Sequence, residues 1–155
     1  MPRITDIMLL EQPEVPTLVV RTRTRVQDMP LLIGKSYGRI AAYLGEIGRH
    51  MAGIPFVAYH NMDMQDLDVE LGFPVAGRLP GKGDIQPGTI PAGLTVVCLY
   101  QGAYSGLQGA YAEMAAWIQE HGYVPSGVAY EFYFNGPEFS EQLLLTQIAF
   151  PVSKN

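Results

Sequence analysis

The sequence predicts an α+β fold of two tandem strand-helix-strand-strand units, related by pseudo-twofold symmetry, with one continuous antiparallel sheet and two long helices. Three observations predict it. β-Branched runs bounded by prolines and glycines alternate with stretches whose apolar residues recur every three or four positions. This order runs through twice, on either side of a connector dense in turn formers. The two passes also resemble each other residue by residue, in the same order, as an internal repeat does.

The first pass opens on Leu18-Val19-Val20 through Thr24, a β-branched run entered from the extended segment around Pro13 and Pro16. From Leu31 to Met51, the residues Ile33, Tyr37, Ile40, Leu44, Ile47 and Met51 fall on one face of a helix. Asp28 stands where a cap belongs, and Pro30 falls in the first turn. Gly34, Gly38, Gly45 and Gly48 weaken this helix by roughly 1 kcal/mol each relative to alanine, so packing must hold it. Gly53 and Pro55 are read as its end. Strands then follow at Phe56 to Asn61 and Val69 to Val75, the latter alternating Val69, Leu71, Phe73 and Val75 with Glu70, Gly72 and Pro74.

Leu79-Pro80-Gly81-Lys82-Gly83-Asp84-Ile85-Gln86-Pro87-Gly88 reads as the connector. The second pass has a strand from Leu94 to Tyr100 and a helix from about Leu107 to His121 with Leu107, Tyr111, Met114 and Ile118 on its face, stopped by Gly122. Strands at Val128 to Phe134 and about Leu143 to Val152 complete it. Tyr37 to Leu44 lies on Tyr111 to Ile118, Val57-Ala58-Tyr59-His60 on Val128-Ala129-Tyr130-Glu131, and Phe73-Pro74-Val75 on Phe150-Pro151-Val152. The chain is therefore expected to be one domain over residues 1–155, with repeats at about 1–79 and 84–155. Neither half alone has strands enough to stand independently.

Composition bounds the function. A chain of 155 residues buries a sizeable core without staples. Cys98 is the only cysteine, which excludes an intrachain disulfide and fits a reducing, cytoplasmic setting. The start of the chain, Met1-Pro2-Arg3-Ile4-Thr5-Asp6, carries charge where a signal peptide needs its apolar core, and no stretch approaches a membrane span. Acidic residues outnumber basic ones, 15 to 10, and the basic ones are scattered, which argues against nucleic acid as a direct partner.

Glu131 is the leading candidate for chemistry. It sits among Tyr130, Phe132, Tyr133 and Phe134, and a carboxylate in such a strand is costly to bury unless paired or serving a ligand. Alternation puts Ala129, Glu131 and Tyr133 on one face and Val128, Tyr130, Phe132 and Phe134 on the other. A glutamate pointing to solvent from an exposed face is the plain alternative. Aromatic candidates beside it are Tyr104, Tyr111, Trp117 and Tyr133, with Tyr37 and Tyr43 from the first half. Tyr37 and Tyr111 lie on apolar helical stripes, where core packing is as good an account as ligand contact. Met29, Met51, Met62, Met64 and Met114 suit an adaptable pocket and ordinary core equally.

His60 takes the repeat position of Glu131, although a surface or core histidine is the favoured account. His50, His60 and His121 lack metal-ligand spacing. The acidic loop of Asp63, Asp66, Asp68 and Glu70 lacks a calcium loop's glycine and reads as a solvated turn. Gly81-Lys82-Gly83 is a turn and no phosphate loop. No metal or cofactor is expected, and Cys98 is read as a small core hydrophobe.

One family shares these features in order: Tyr100-Gln101-Gly102-Ala103-Tyr104 at a strand end, Ala110-Tyr111 and Trp117 on the next helix, Gly122 at its close, Glu131-Phe132-Tyr133 on a strand, Asn135-Gly136-Pro137 in the turn, and Phe150-Pro151-Val152. The chain resembles the GyrI-like small-molecule-binding domains, related to effector-binding domains of multidrug-responsive and AraC-type regulators. The resemblance implies a ligand cleft between the two helices with Glu131 as a central carboxylate; the residues offered as its lining are Tyr133, Tyr104, Trp117, Tyr37, Tyr111 and His60. Where many relatives carry an acidic residue before the final Pro-Val, this chain has Gln147, so a second carboxylate is not carried over. No segment is left for a helix-turn-helix, so a whole transcription factor is not expected.

The function expected is a stand-alone, multidrug-type binder of bulky aromatic, often cationic compounds. A carboxylate within aromatic walls recognises a lipophilic cation, and a loose apolar pocket accepts varied shapes. The alternative, also implied by the resemblance, is a hydrolase of cyclopropane-bearing alkylating natural products with Glu131 as general base and Tyr133 beside it. A gyrase-inhibiting interaction protein ranks last.

Overall fold

A computed structural model describes residues 5–155; part of the N-terminal segment considered above as a leader lies outside the described residues. The elements run β1 (Met8–Gln12), β2 (Val15–Thr24), α1 (Met29–Glu46), β3 (Phe56–Tyr59), β4 (Leu67–Pro74), β5 (Ile85–Ile90), β6 (Gly93–Gln101), α2 (Leu107–Glu120), β7 (Tyr123–Pro125), β8 (Ala129–Tyr133) and β9 (Leu145–Lys154). Short 3-10 turns, Val26–Asp28 and Tyr104–Gly106, lead into the two helices. The class is α+β, as the sequence predicts.

The chain sorts into two compact units. Pro13–Ala92 holds strands in the order β3-β4-β2-β5, each pair antiparallel. α1 covers one face of this sheet, and Ile40, Tyr43 and Leu44 pack on Leu18, Val20, Phe73 and Ile85. Gly93–Asn155, joined by β1, holds the order β1-β6-β9-β8, again antiparallel, with β7 also on β9. There α2 packs Leu107, Ala110, Met114 and Ile118 on Val96, Cys98, Tyr100 and Ile148. Burial of each large aliphatic side chain stabilises by about 1.5–3 kcal/mol. Cys98 is part of this core, its Sγ 3.5 Å from Met114 Sδ.

The structure differs from the sequence expectations in four places. α1 ends at Glu46, not Met51, because Gly48 adopts a φ of +66° that terminates the helix before Gly53 and Pro55. Asp28 is the N-cap residue but makes no side-chain cap bond; its carboxylate accepts from Arg25 Nε at 3.0 Å. The connector contains β5, which includes Pro87 and Gly88. β5 pairs on one side with β2 and ends the strand order of its unit, where a missing N–H is tolerated. Lastly, β1 pairs with β6, so the strand at the start of the chain belongs with the second helix.

Gly72 at the middle of β4 is required by close approach. A Cβ there would lie 2.0 Å from the Leu18 carbonyl oxygen on β2, inside any van der Waals contact. The pairing of Gly72 with Val19 and Phe56 continues uninterrupted through that point.

Candidate functional site

Residues directly opposite in an antiparallel pair share a sheet face, so strand register fixes which side chains line up under α2. Cys98 of β6 pairs with Ile148 of β9, and Ile148 pairs with Glu131 of β8. Cys98 and Ile148 are core residues beneath α2. Glu131 therefore projects from the helix-covered face and is only 7% exposed. The parallel row one step along is Tyr100, Thr146 and Tyr133. The alternative in which Glu131 points to open solvent does not hold.

Two phenols hold the carboxylate. Tyr111 donates its hydroxyl from α2 to Oε2, and Tyr133 donates to Oε1 at 2.8 Å from two residues along β8. Tyr111 is itself fixed by an edge-on contact with Phe150, ring centroids 5.4 Å apart. Tyr104, 48% exposed, leans edge-on against Tyr133 with centroids 5.8 Å apart. Among the described residues no basic side chain pairs with Glu131. Burial pushes the Glu131 carboxyl above the ordinary range, and the Tyr111 and Tyr133 hydrogen bonds pull only partly against it. Burial, reinforced by the Glu131 charge, likewise raises the Tyr104 phenol.

The structure thus brings together Glu131, Tyr111, Tyr133 and Tyr104. Trp117 and Gln147 of the same unit make other contacts, and Tyr37, Tyr43 and His60 belong to the other unit. Trp117 stacks on His121 at 3.8 Å and lies parallel to Tyr123 at 6.4 Å, packed against the core of its unit. Gln147 pairs with Phe132 and Leu99, on the face opposite Glu131. In the other unit, Tyr37 donates to the Phe56 carbonyl at 2.8 Å and packs on Phe73 at 5.1 Å, while Tyr43 donates to the Pro80 carbonyl at 2.7 Å. Met114 and Met29 are buried, whereas Met51, Met62 and Met64 are exposed.

His60 does not hold the position of Glu131. The Tyr37–Phe73 and Tyr111–Phe150 ring pairs correspond, and two residues before each phenylalanine stand Leu71 and Ile148. Leu71 pairs with Val57 and Ile148 with Glu131, so Val57 takes the equivalent place. His60 lies on the face turned away from α1, its Nε2 2.5 Å from Glu70 Oε1. The acidic loop is tied down by arginines: Arg21 forks onto Asp68 at 2.8 and 3.0 Å, and Arg23 meets Asp66 at 3.0 Å. Arg21 holds the Asp68 carboxyl below its usual range. Among the described residues no group of His, Cys, Asp and Glu could hold a metal ion. Among the described residues no helix is long and apolar enough to cross a membrane.

A depression of about 490 Å³ at the end of α1, lined by Leu44, Arg49, His50 and Met51 among others, is partly open to solvent and contains none of the Glu131 cluster. One residue of the Glu131 surroundings carries no sequence signal. Thr146 lies in an apolar strand and is marked only by its register between Tyr100 and Tyr133.

A GyrI-like small molecule binding domain matches the chain over residues 5–153, nearly its whole length. The chain belongs to the GyrI-like small molecule binding domain family. EcmrR, solved in complex with DNA, is similar in fold with a TM-score of 0.83 and 24% identity, the match covering 97% of this chain and 58% of that one. The GyrI-like chain thus spans little more than half of that regulator's length. The EcmrR C-terminal domain alone gives a TM-score of 0.81 at 24% identity over 98% of this chain and 99% of that one. A hydrolase from Listeria innocua has a TM-score of 0.72 at 14% identity, covering 99% and 94% of the two chains. SAV2435 bound to tetraphenylphosphonium has a TM-score of 0.66 at 15% identity, covering 96% and 94%. At these identities the likeness is one of fold. No curated protein matches the chain significantly.

Proposed function

We propose that this GyrI-like domain binds lipophilic aromatic compounds, preferentially cations, with Glu131 as the counter-charge. The observation that carries this is a carboxylate 7% exposed, oriented by Tyr111 and Tyr133 and paired with no basic side chain among the described residues. A buried carboxylate left without a cation is costly, and a cationic ligand supplies the missing charge. The ring faces of Tyr104 and Tyr133, packed edge-on against each other, would attract such a ligand further. The tetraphenylphosphonium held by SAV2435 is a ligand of this chemistry on a similar fold. The single, buried thiol of Cys98 fits action in a reducing cytoplasm. We further read the two units as repeats within one domain, on the matching Tyr37–Phe73 and Tyr111–Phe150 pairs.

Fluorescence titration with a rhodamine-type or triarylmethane dye tests this reading. Saturable binding near micromolar, about 8 kcal/mol, is expected. Glu131→Gln keeps the shape and removes the charge, so cation affinity is expected to fall by about 2 kcal/mol or more while a neutral isostere is retained. Equal cation affinity in both proteins would remove Glu131 from the site.

A second reading, hydrolysis, is supported by the carboxyl raised by burial next to a phenol. Glu131 would accept the proton of a water attacking a cyclopropane carbon; the ring C–C bond would break with its electron pair passing to a carbonyl conjugated with the ring, and the Tyr133 hydroxyl, turned from Glu131, would polarise that oxygen. Turnover of a cyclopropane-bearing electrophile, lost by about 100-fold or more in Glu131→Gln, would make this the primary function.

A further inference from the structure

Thr146 is fully buried, and its Oγ1 has no hydrogen-bond partner among the described residues. It is flanked across the sheet by Tyr100 and Tyr133 and precedes Ile148, the register partner of Glu131, by one alternation. Its side chain therefore stands on the helix-covered face, beside the phenol that holds Glu131. The hydrogen of the neighbouring Tyr100 hydroxyl goes to the Ala103 carbonyl at 2.6 Å. Tyr133 is likewise committed to Glu131. Thr95, the other buried hydroxyl without a partner, pairs with Pro151 and Leu10 and so projects from the opposite face.

An unpaired hydroxyl diagonal to a buried carboxylate on the same sheet face is a hydrogen-bonding point that the protein itself does not use. We propose that Thr146 is a specificity-determining contact of the Glu131 site, selecting protonated amines, which bring an N–H, over onium ions that have none. This rests on the binding reading above. Glu131 supplies charge to either class of cation. The Thr146 oxygen accepts an N–H only from the amine, whereas a tetraarylphosphonium or quaternary ammonium leaves it unpaired. Tyr104, half-exposed, packs edge-on against Tyr133, the register partner of Thr146.

The test compares tetraphenylphosphonium with a protonated amine bearing three phenyl rings, titrated into wild type, Thr146→Val, Thr146→Ser and Glu131→Gln. Valine is expected to weaken the amine by about tenfold and leave the phosphonium unchanged, and serine is expected to restore the preference. Thermal melting of the unliganded proteins gives an independent readout. Thr146→Val removes a hydroxyl that has no partner, so it should melt at or above the wild-type temperature. If valine weakens both ligands equally, or neither, the selectivity role is overturned. A marked loss of stability in valine that serine repairs would overturn it too, by showing an internal partner. Loss of both ligands in Glu131→Gln with no effect of valine would leave the binding reading intact and sink this inference alone. Absence of cation binding to wild type would overturn both.

Discussion

Val57 on β3 stands in its unit where Glu131 stands on β8 in the other: each pairs with the residue two before the phenylalanine that packs on the helix tyrosine. Val57 is fully buried, and the matching tyrosine, Tyr37, spends its hydroxyl on the Phe56 carbonyl. The Pro13–Ala92 unit thus repeats the scaffold without the charge. One cation per chain is the expected stoichiometry by isothermal titration calorimetry. Two equivalent cations per chain would show that a site forms without this carboxylate.

Stability should depend on pH through Glu131 in a defined direction. Its folded carboxyl titrates above the unfolded one, so its contribution is fully present below the ordinary glutamate range and is lost as pH rises through the folded value. Glu131→Gln does not titrate. The variant is therefore expected to gain on wild type in chemical denaturation as pH rises from acid to neutral, with the difference levelling once the buried carboxyl is ionised. A difference that shrinks over that range would contradict the sign.

Gly72→Ala tests the tightest backbone approach in the Pro13–Ala92 unit. The new Cβ would overlap the Leu18 carbonyl, a backbone atom with no rotamer to escape into. A loss of about 3 kcal/mol or more is expected in urea denaturation, at the upper end of overpacking costs. Gly109→Ala on α2 meets no atom within 4 Å and serves as the control, where removing a helical glycine should stabilise by roughly 0.5–1 kcal/mol.

The two helices were legible because Ile40 and Leu44, or Met114 and Ile118, recur at helical spacing whatever their partners turn out to be. Glu131 was legible because a charge inside an aromatic run is conspicuous. β5 was not, since Pro87 and Gly88 are turn formers that only an edge position admits into a strand. β1 was hidden for another reason: its partner β6 is remote in sequence, and five residues carry little pattern. The match of His60 to Glu131 failed on register. Laying Val57 on Val128 is three residues from the observed match of Val57 with Glu131, and an odd slip moves every side chain to the other face. Thr146 has no local signature, because its importance lies in what its neighbours leave unpaired.

The phenols set the pH range of cation binding. Tyr111 and Tyr133 each donate to Glu131 and favour its ionised form, against the burial that favours the neutral one. Cation binding needs the ionised carboxylate, so affinity should fall as pH drops through the raised value. Tyr133→Phe and Tyr111→Phe each remove one donor, which moves that fall to higher pH. At alkaline pH, where the carboxylate is ionised regardless, the variants should bind a cationic dye at least as tightly as wild type, because a hydrogen bond competing for the carboxylate is gone. Where Glu131 is ionised, loss of a bond to the charged acceptor should cost roughly 1.5–3 kcal/mol of folding stability. Tyr104→Phe is the contrasting variant: its hydroxyl makes no hydrogen bond to Glu131, and its ring contact with Tyr133 is kept, so its pH profile should overlay wild type. Dye titrations across the pH range on all three variants decide the matter. Parallel profiles for Tyr133→Phe, Tyr111→Phe and wild type would mean that the charge sensed by the ligand is not the one these phenols hold.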